Sequence, residues 1–201
     1  MRAAKPTLLR RLAGDDRGAT IVEFAIVAPV FIVLLLGIFD FGHMVYAQSV
    51  LQGAVHAAGR DSGLESGADF MDRIDEKVRG QVGNIVPHGS VLTSRTNYES
   101  FNDVNKPEDF VDANGNGAYD GNECFTDVNE NGQWDEDRGL EGLGGADDVV
   151  LYTATLEYDR LVPLFRFVGG AERRTMAAST ILRNQPFGDQ AARPEEQICP
   201  A

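Results

Sequence analysis

The 201-residue chain has room for one N-terminal membrane segment and a single modest domain. Its 43% hydrophobic content argues against wholesale disorder, and its net charge of −13 argues against nucleic-acid binding, which needs a basic surface. The charge is unevenly distributed. Residues 1–18 carry five basic against two acidic side chains, a net charge of +3, so the remaining residues carry −16.

An apolar run follows this basic segment. The 21 residues from Ala19 to Phe39 contain one charged side chain, that of Glu23. As a helix they would span about 30 Å, the thickness of a bilayer core. The run is longer than the apolar part of a usual secretory signal, and no small-residue cleavage site closes it. We therefore predict a retained single-pass anchor, with residues 1–18 in the cytoplasm and the acidic remainder exported. A buried helix of a soluble protein is the alternative.

The anchor helix is expected to continue past the membrane. From Met44 to Ala58, apolar residues recur at three- and four-residue intervals with polar residues between them. This period predicts one long helix over 19–61 whose second half is amphipathic and packs on a domain. A turn over 61–67 then separates it from a second helix over 68–83, whose apolar stripe consists of Phe70, Ile74, Val78 and Val82.

The following segments predict a sheet. Residues 90–98 mix β-branched and polar side chains, and residues 147–159 alternate between apolar and polar ones. Residues 173–187 are the expected antiparallel partner of 147–159, and 160–170 form a hydrophobic connection. The expected fold is α+β: a long N-terminal transmembrane and amphipathic helix, then an exported domain over 62–187 with a second helix, an antiparallel sheet and an acidic insert over 110–140. The tail over 188–201, rich in proline and polar residues, is predicted to be flexible.

The insert contains a twelve-residue stretch, "DANGNGAYDGNE", with the spacing of a calcium loop. Gly117 occupies position 6, where the sharp turn demands glycine. A large hard cation needs six or more oxygen atoms from a chain that winds around it. The predicted ligands of this first loop are Asp112, Asn114, Asn116, the carbonyl of Ala118, Asp120 and Glu123.

A second copy of the pattern, "DVNENGQWDEDR", follows fifteen residues later. Its candidate ligands are Asp127, Asn129, Asn131, Gln133, Asp135 and Asp137. Position 12 is Arg138, so the acidic end must come from Asp137 or a more distant carboxylate, unless the two loops share one ion. The pair lacks flanking helices and resembles the calcium loops of dockerin-like and thrombospondin-type modules.

One or two calcium ions would relieve the charge of residues 103–148, which hold 14 acidic against two basic side chains. A flexible loop is the alternative, because asparagine, glycine and aspartate are also common turn formers. The only two cysteines, Cys124 and Cys199, could pair in an exported domain and close a loop of about 75 residues; two free thiols are the alternative. No nucleophile-elbow, zinc-protease or P-loop motif is present, so we predict no catalytic residues and no enzymatic activity.

The stretch "RGATIVEFAIVAPVFIVLLLGIFDFGHMVYAQSVLQGAVHAAGRDSG" resembles the TadE-like pseudopilins of bacterial tight-adherence (Flp, type IVb) pilus systems. The resemblance implies cleavage after Gly18 by a prepilin peptidase, which makes Ala19 the new N-terminus, Glu23 the fifth residue and Phe24 the aromatic residue that follows it. It further implies an inner-membrane location, a C-terminal domain in the periplasm or in an extracellular pilus, and partners among pilin-like subunits and the pilus assembly machinery.

Cleavage would release an α-amino group at Ala19, within reach of Glu23 of a neighbouring subunit. Pairing the two opposite charges offsets the cost of holding either one in apolar surroundings. The alternative for Glu23 is an ordinary anchor residue near the membrane interface. The alternative for the whole protein is a membrane-anchored calcium-binding adhesin or surface module unrelated to pili.

Overall fold

The computed structural model describes residues 17–62, 68–162, 171–185 and 188–200. Within these ranges two helices, α1 (Arg17–Ser62) and α2 (Ala68–Gly83), precede a short 3₁₀ turn over Phe101–Asp103. The strands are β1 (Ser90–Tyr98), β2 (Phe125–Asp127), β3 (Leu140–Glu141), β4 (Val149–Asp159), β5 (Arg173–Arg183) and β6 (Glu196–Ile198). The predicted α+β arrangement is confirmed. Most of the basic leader and most of the hydrophobic connection, residues 1–16 and 163–170, lie outside the described residues.

The strands form two antiparallel sheets. The larger has the order β3-β1-β4-β5, so β4 lies between β1 and β5, with Tyr98 opposite Val149 and Arg173 opposite Asp159. The predicted pairing of the last two long strands is thereby confirmed. The smaller sheet pairs β2 with β6. β4 begins two residues later than its pattern predicts, because Asp147 adopts a left-handed turn conformation with φ of 63°.

Both helices contribute to one hydrophobic core. The second half of α1, from Val45 onward, and the residues Ile74, Val78 and Val82 of the predicted stripe of α2 pack against the side of the sheet to which alternate residues of β4 point. Small residues let α1 approach β5 closely: a Cβ added at Gly59 would lie 2.7 Å from Cγ2 of Thr180. The buried apolar side chains that α1, α2 and β4 contribute to this core are Ala47, Leu51, Ala54, Val55, Ala58, Met71, Ile74, Val78, Val82, Tyr152, Ala154, Leu156 and Tyr158.

A buried polar network fixes α2 on the sheet. The carboxylate of Asp75 accepts hydrogen bonds from both terminal nitrogens of Arg95 and from the hydroxyl groups of Thr93 and Tyr152. Burial raises the pKa of Asp75, but these hydrogen bonds and the positive charge of Arg95 outweigh it, and the net pKa is lowered. The site is therefore satisfied with Asp75 ionised.

The C-terminal tail is held at several points, although its composition predicts flexibility. The Arg193 guanidinium lies 3.0 Å from the buried carboxylate of Asp148 and donates to the Asn97 side chain at 2.6 Å. Gln190 donates to the same Asp148 carboxylate, and strand β6 completes the smaller sheet. Tail composition alone does not reveal that a buried carboxylate elsewhere in the chain needs a cationic partner.

One compact unit consists of the described residues up to Met44 and those between Arg160 and Glu172. The first half of α1 makes up most of these residues. Large apolar side chains remain exposed around this part of the helix, from Ile21 to Phe41. At the end of the apolar run Asp40 is buried and pairs with Arg160, at 3.1 Å. A charged residue that directly follows an apolar span is thereby neutralised by a partner.

Candidate functional site

The first candidate region is the N-terminal turn of α1. The described helix begins at Arg17 and continues through Pro29 without a break. Gly18 and Glu23 are exposed, and Phe24 is 72% exposed. Among the described residues, no hydrogen bond or ion pair involves the Glu23 carboxylate. This carboxylate thus lies on an apolar helix surface and is accessible to a partner outside the chain.

The same helix is the membrane-anchor candidate. Over Thr20–Asp61 it is long and apolar enough to cross a bilayer, and none of its most apolar stretch is buried inside the protein. A core helix of a soluble protein would bury such a stretch. The exposure of this helix therefore favours a single-pass membrane protein over the buried-helix alternative.

The second candidate region is the acidic insert, where the first loop winds around Asp112. Its carboxylate accepts three backbone hydrogen bonds of 2.7 to 3.1 Å, from Gly115, Asn116 and Gly117. Gly117 has a φ of 77°, which only glycine adopts without strain. The glycine at position 6 thus makes the turn for which the pattern selects it.

Glu123 closes this first loop. It is 3% exposed, and its two carboxylate oxygens accept from the backbone N–H groups of Ala113 at 2.8 Å and Asp120 at 3.1 Å. These donors are positions 2 and 9 of the loop. The side-chain amides of Asn114 and Asn116 both donate to Asp120. All five predicted side-chain ligands of the first loop therefore take part in hydrogen bonds within the loop.

The second loop follows the same path. Positions 4 and 6, Glu130 and Gly132, have φ of 60° and 77°, and the side-chain amides of Asn129 and Asn131 both donate to Asp135. Asp127 is 3% exposed, and its Oδ2 accepts from the Gly132 N–H at 2.7 Å. Its Oδ1 is buried and finds no hydrogen-bond donor among the described residues. A buried carboxylate oxygen without a donor is costly unless a cation meets it.

The acid that closes the second loop comes from upstream. Glu108 is 1% exposed, and its two oxygens accept from the backbone N–H groups of Val128 at 2.8 Å and Asp135 at 3.2 Å. These donors are positions 2 and 9 of the second loop, the same positions that Glu123 contacts in the first. Burial raises the pKa of Glu108, and the negative charges of Asp127 and Asp135 add to the increase.

A longer repeat in the sequence would have identified Glu108. The pattern E-x-F-x-D-x-N-x-N-G-x-(Y/W)-D covers residues 108–120 and again 123–135. Each repeat therefore begins with its glutamate, two residues before a phenylalanine. The twelve-residue calcium pattern counts each loop from its first aspartate and expects the closing acid at position 12. Glu108 precedes the first loop and so falls outside that count.

Arg138, at position 12 of the second loop, holds the upstream segment in place. Its side chain donates to the carbonyl of Pro107 at 2.8 and 3.0 Å and lies 2.9 Å from the Asp109 carboxylate. Its backbone N–H donates to the Lys106 carbonyl, and the N–H of Glu108 donates to the carbonyl of Asp135. Arg138, which departs from the calcium-loop pattern at position 12, thus positions Glu108 for its contacts with the second loop.

Four aromatic side chains join the two loops. Tyr119 and Trp134, both at position 8, stack with ring centroids 4.6 Å apart. Phe110 and Phe125, each two residues before a loop, pair across an antiparallel bridge and contact this stack edge-on. The indole N–H of Trp134 donates to the Glu108 carbonyl. The loops are therefore packed on one another around an aromatic centre.

Asp137, the nearest acid proposed for the second loop, points elsewhere. It accepts from the hydroxyl of Tyr98 at 2.8 Å and from the backbone N–H of Gly139. Burial, together with this contact to Asp137, raises the pKa of Tyr98 to about 12. Cys124, between the loops, is joined to Cys199 in a disulfide.

No group of three or more His, Cys, Asp or Glu side chains able to hold a metal ion is found in the described part of the chain. Amides and carbonyls are a large part of the ligand set that the sequence predicts for each loop, including the side chains of Asn129 and Asn131 and the backbone of Ala118 and Gln133. Such oxygen-rich sets suit calcium, whereas zinc sites depend on imidazole and thiolate groups.

Comparison with known proteins finds a family match over the N-terminal helix. Residues 18–60 match the family described as TadE-like protein. No curated protein and no solved structure matches the chain. The matched segment begins at Gly18 and covers the exposed apolar part of α1 and most of its core-packed part. Over these residues the chain carries a TadE-like segment, which fits a membrane-anchored component of a tight-adherence pilus system.

Proposed function

We propose that this protein is a membrane-anchored, pilin-like structural component of tight-adherence (Flp) pilus assembly. The observation that carries the proposal is the family match, whose first residue is the glycine of the expected cleavage site. Residues 1–18 act as a cytoplasmic leader, prepilin peptidase cuts after Gly18, and the C-terminal domain lies in the periplasm or in the pilus. The role is structural rather than catalytic.

Glu23 guides assembly in this proposal. The new α-amino group at Ala19 pairs with the Glu23 carboxylate of a neighbouring pilin-like subunit within the membrane. Support comes from the position of Glu23 on an exposed apolar helix surface, where an unpaired carboxylate is costly. The pair forms only after cleavage, so processing and assembly are coupled.

Processing is tested by N-terminal sequencing of the full chain extracted from membranes of cells with and without a prepilin peptidase. We expect a start at Ala19 only when the peptidase is present, and no cleavage of Gly18→Leu. Gly14→Leu, a second leader glycine, is the matched control and should be processed normally. An intact Met1 in the presence of the peptidase contradicts the proposal and favours an anchored surface module unrelated to pili.

The role of Glu23 is tested by co-purification with pilus assembly proteins from detergent extracts. Glu23→Ala and Glu23→Gln should leave the protein inserted and processed but reduce partner recovery. Thr20→Ala, three residues earlier on α1, serves as the control. Unchanged recovery with both Glu23 variants contradicts the pairing.

A second function is calcium binding by the insert, which we propose stiffens residues 110–140. It is favoured by the first loop, where the Asp112 and Glu123 carboxylates accept backbone hydrogen bonds within the loop and Gly117 is left-handed. Affinities of extracellular modules of this kind are about 10⁻⁴–10⁻³ M. Limited proteolysis should cut within 110–140 faster after chelation while the strands stay intact, and identical cutting patterns would contradict this function.

A further inference from the structure

The two halves of the insert place equivalent glutamates in equivalent positions. Glu123 contacts positions 2 and 9 of the first loop, and Glu108 contacts positions 2 and 9 of the second. Each glutamate is the first residue of its own fifteen-residue repeat but closes the loop of the other repeat. The exchange is reciprocal, so neither loop is complete without residues from both repeats.

An independent observation points to a cation in the second loop. Oδ1 of Asp127 is buried and lacks a hydrogen-bond donor among the described residues. In the first loop both oxygens of the equivalent Asp112 accept backbone hydrogen bonds. Among the position-1 carboxylate oxygens of the two loops, Oδ1 of Asp127 is thus the one without a hydrogen-bond donor in the described residues. Water is excluded from it, so a bound cation is the natural partner.

The charge of the second loop favours a divalent cation. Glu108, Asp127 and Asp135 are acidic, and Asn129 and Asn131 would add neutral amide oxygens once their side-chain amides, whose nitrogens donate to Asp135 in this structure, turn over. In the described residues these three carboxylates do not converge into a metal-holding group, but three carboxylates with further oxygen donors suit Ca²⁺, which takes six to eight oxygen ligands at 2.3 to 2.6 Å in flexible geometry. Mg²⁺ is less suited, because it demands near-octahedral geometry and keeps most of its waters.

We propose that Glu108 is the closing carboxylate ligand of a second calcium site, so that the insert binds two calcium ions, one per loop, with ligands exchanged between the repeats. Asp127, Asn129, Asn131, Asp135 and the Gln133 carbonyl complete the site. Arg138 is a positioning residue, which holds the segment around Pro107 so that Glu108 reaches the loop. This inference rests on the proposed calcium function of the insert and is independent of the pilus role.

The test counts ions on the full chain in detergent, with terbium as a luminescent calcium substitute. Trp134 is the only tryptophan, lies within the second loop and stacks on Tyr119 of the first, so it can sensitise terbium bound in either loop. We expect two ions in the wild type and one each in Glu108→Gln and Glu123→Gln, with calcium displacing terbium from every site. Glutamine keeps the size of the side chain and an acceptor for one of the two backbone N–H groups, so the folding of each variant is checked separately.

Asp137→Asn is the matched control. It removes the other acid near the end of the second loop and should still bind two ions. Arg138→Ala should weaken one of the two sites without abolishing it. Far-ultraviolet circular dichroism and intact Cys124–Cys199 pairing verify folding of each variant.

The outcomes separate the two proposals. If the wild type binds no ion, the calcium function itself fails, and the role of Glu108 fails with it. If the wild type binds two ions and Glu108→Gln also binds two, only the role of Glu108 is overturned. If the wild type binds one ion that either glutamate variant abolishes, the loops share an ion and the two-site proposal is overturned. Loss of one ion in Asp137→Asn but not in Glu108→Gln assigns the closing acid to Asp137.

Discussion

The carboxylate of Asp75 on α2 lies 2.6 Å from the guanidinium of Arg95 on β1, at a position where both side chains are largely withdrawn from water. Arg95 also lies over the ring of Tyr152, with its guanidinium carbon 4.9 Å from the ring centroid. One ion pair therefore joins the second helix to two neighbouring strands. Its loss would leave a buried cation and two hydroxyl groups without their acceptor.

We expect Asp75→Ala to lower the free energy of unfolding by about 3–5 kcal/mol, because it leaves Arg95 uncompensated in the interior. Glu76→Ala, one residue further along α2 on its exposed side, should change this free energy by less than about 0.5 kcal/mol. Urea unfolding of the full chain in detergent measures both. Similar changes in the free energy of unfolding for the two variants would contradict a stabilising role of the Asp75 network.

Acid should weaken the same network. Because the folded-state pKa of Asp75 is lowered, the stability that it contributes is fully present above its unfolded pKa of about 3.9 and is lost as pH falls through the folded pKa. The pKa of Asp148 is lowered in the same direction, where hydrogen bonds and the charge of Arg193 outweigh burial. Wild-type stability should therefore fall as the pH drops below about 4, where the unfolded chain takes up protons that the folded carboxylates resist.

The comparison variant for this pH dependence is Asp75→Asn, measured by urea unfolding over the same range. It should be less stable than the wild type at neutral pH, and the difference between them should shrink in acid. A constant difference across this range would exclude Asp75 as a source of the acid sensitivity.

The close approach of α1 to β5 should make two helical glycines respond differently to alanine. Gly53→Ala meets no described atom within 4 Å and should stabilise the protein by about 0.5–1 kcal/mol, the usual gain in a helix interior. Gly59→Ala places a methyl group against Thr180 and should lose that gain or destabilise. Thr180→Ser removes the contacting Cγ2 atom and should restore it. Thermal unfolding of the two single variants and the double variant measures this coupling; additive effects of the two changes would rule out the contact.

Tail attachment should depend on Arg193. Arg193→Ala leaves the Asp148 carboxylate buried without its cation and should cost about 3–5 kcal/mol. The matched control is Arg173→Ala, since the Arg173–Asp159 pair is well exposed and is worth at most about 1 kcal/mol. Faster proteolysis of residues 188–200 in Arg193→Ala, but not in Arg173→Ala, would accompany the loss. Equal protection of the tail in both variants would contradict its anchoring by Asp148.

Much of the fold follows from residue periodicity. The predicted bounds of α2 and β1 coincide with those observed, because the apolar stripe of α2 and the β-branched run of β1 are strong local signals. The short strands β2, β3 and β6 could not be predicted. Two or three residues carry no periodic pattern, and their pairing depends on distant segments. The attachment of the tail likewise depends on Asp148, 45 residues before Arg193 in the sequence.

The insert shows the same division between local and distant information. Its twelve-residue spacing correctly predicts the turns at Gly117 and Gly132, since a position-6 glycine depends only on its own loop. The origin of the second closing acid could not be derived from that spacing, because Glu108 precedes the loop by 19 residues. Only the hydrogen bonds of Glu108 to Val128 and Asp135, or the full fifteen-residue repeat, identify it.

The exchanged glutamates also make the insert self-limiting. If position 12 of the second loop were acidic, each repeat could pass its closing residue to the preceding one, and copies could be added indefinitely as an open array. Arg138 ends that series, and Glu108 returns to the last loop, as in an isologous pair in which two like units satisfy one another. A third repeat inserted between the two would bring its own glutamate, but it would lengthen the chain between Glu108 and the last loop, whose position 12 is Arg138, so the reciprocal exchange would no longer join neighbouring repeats.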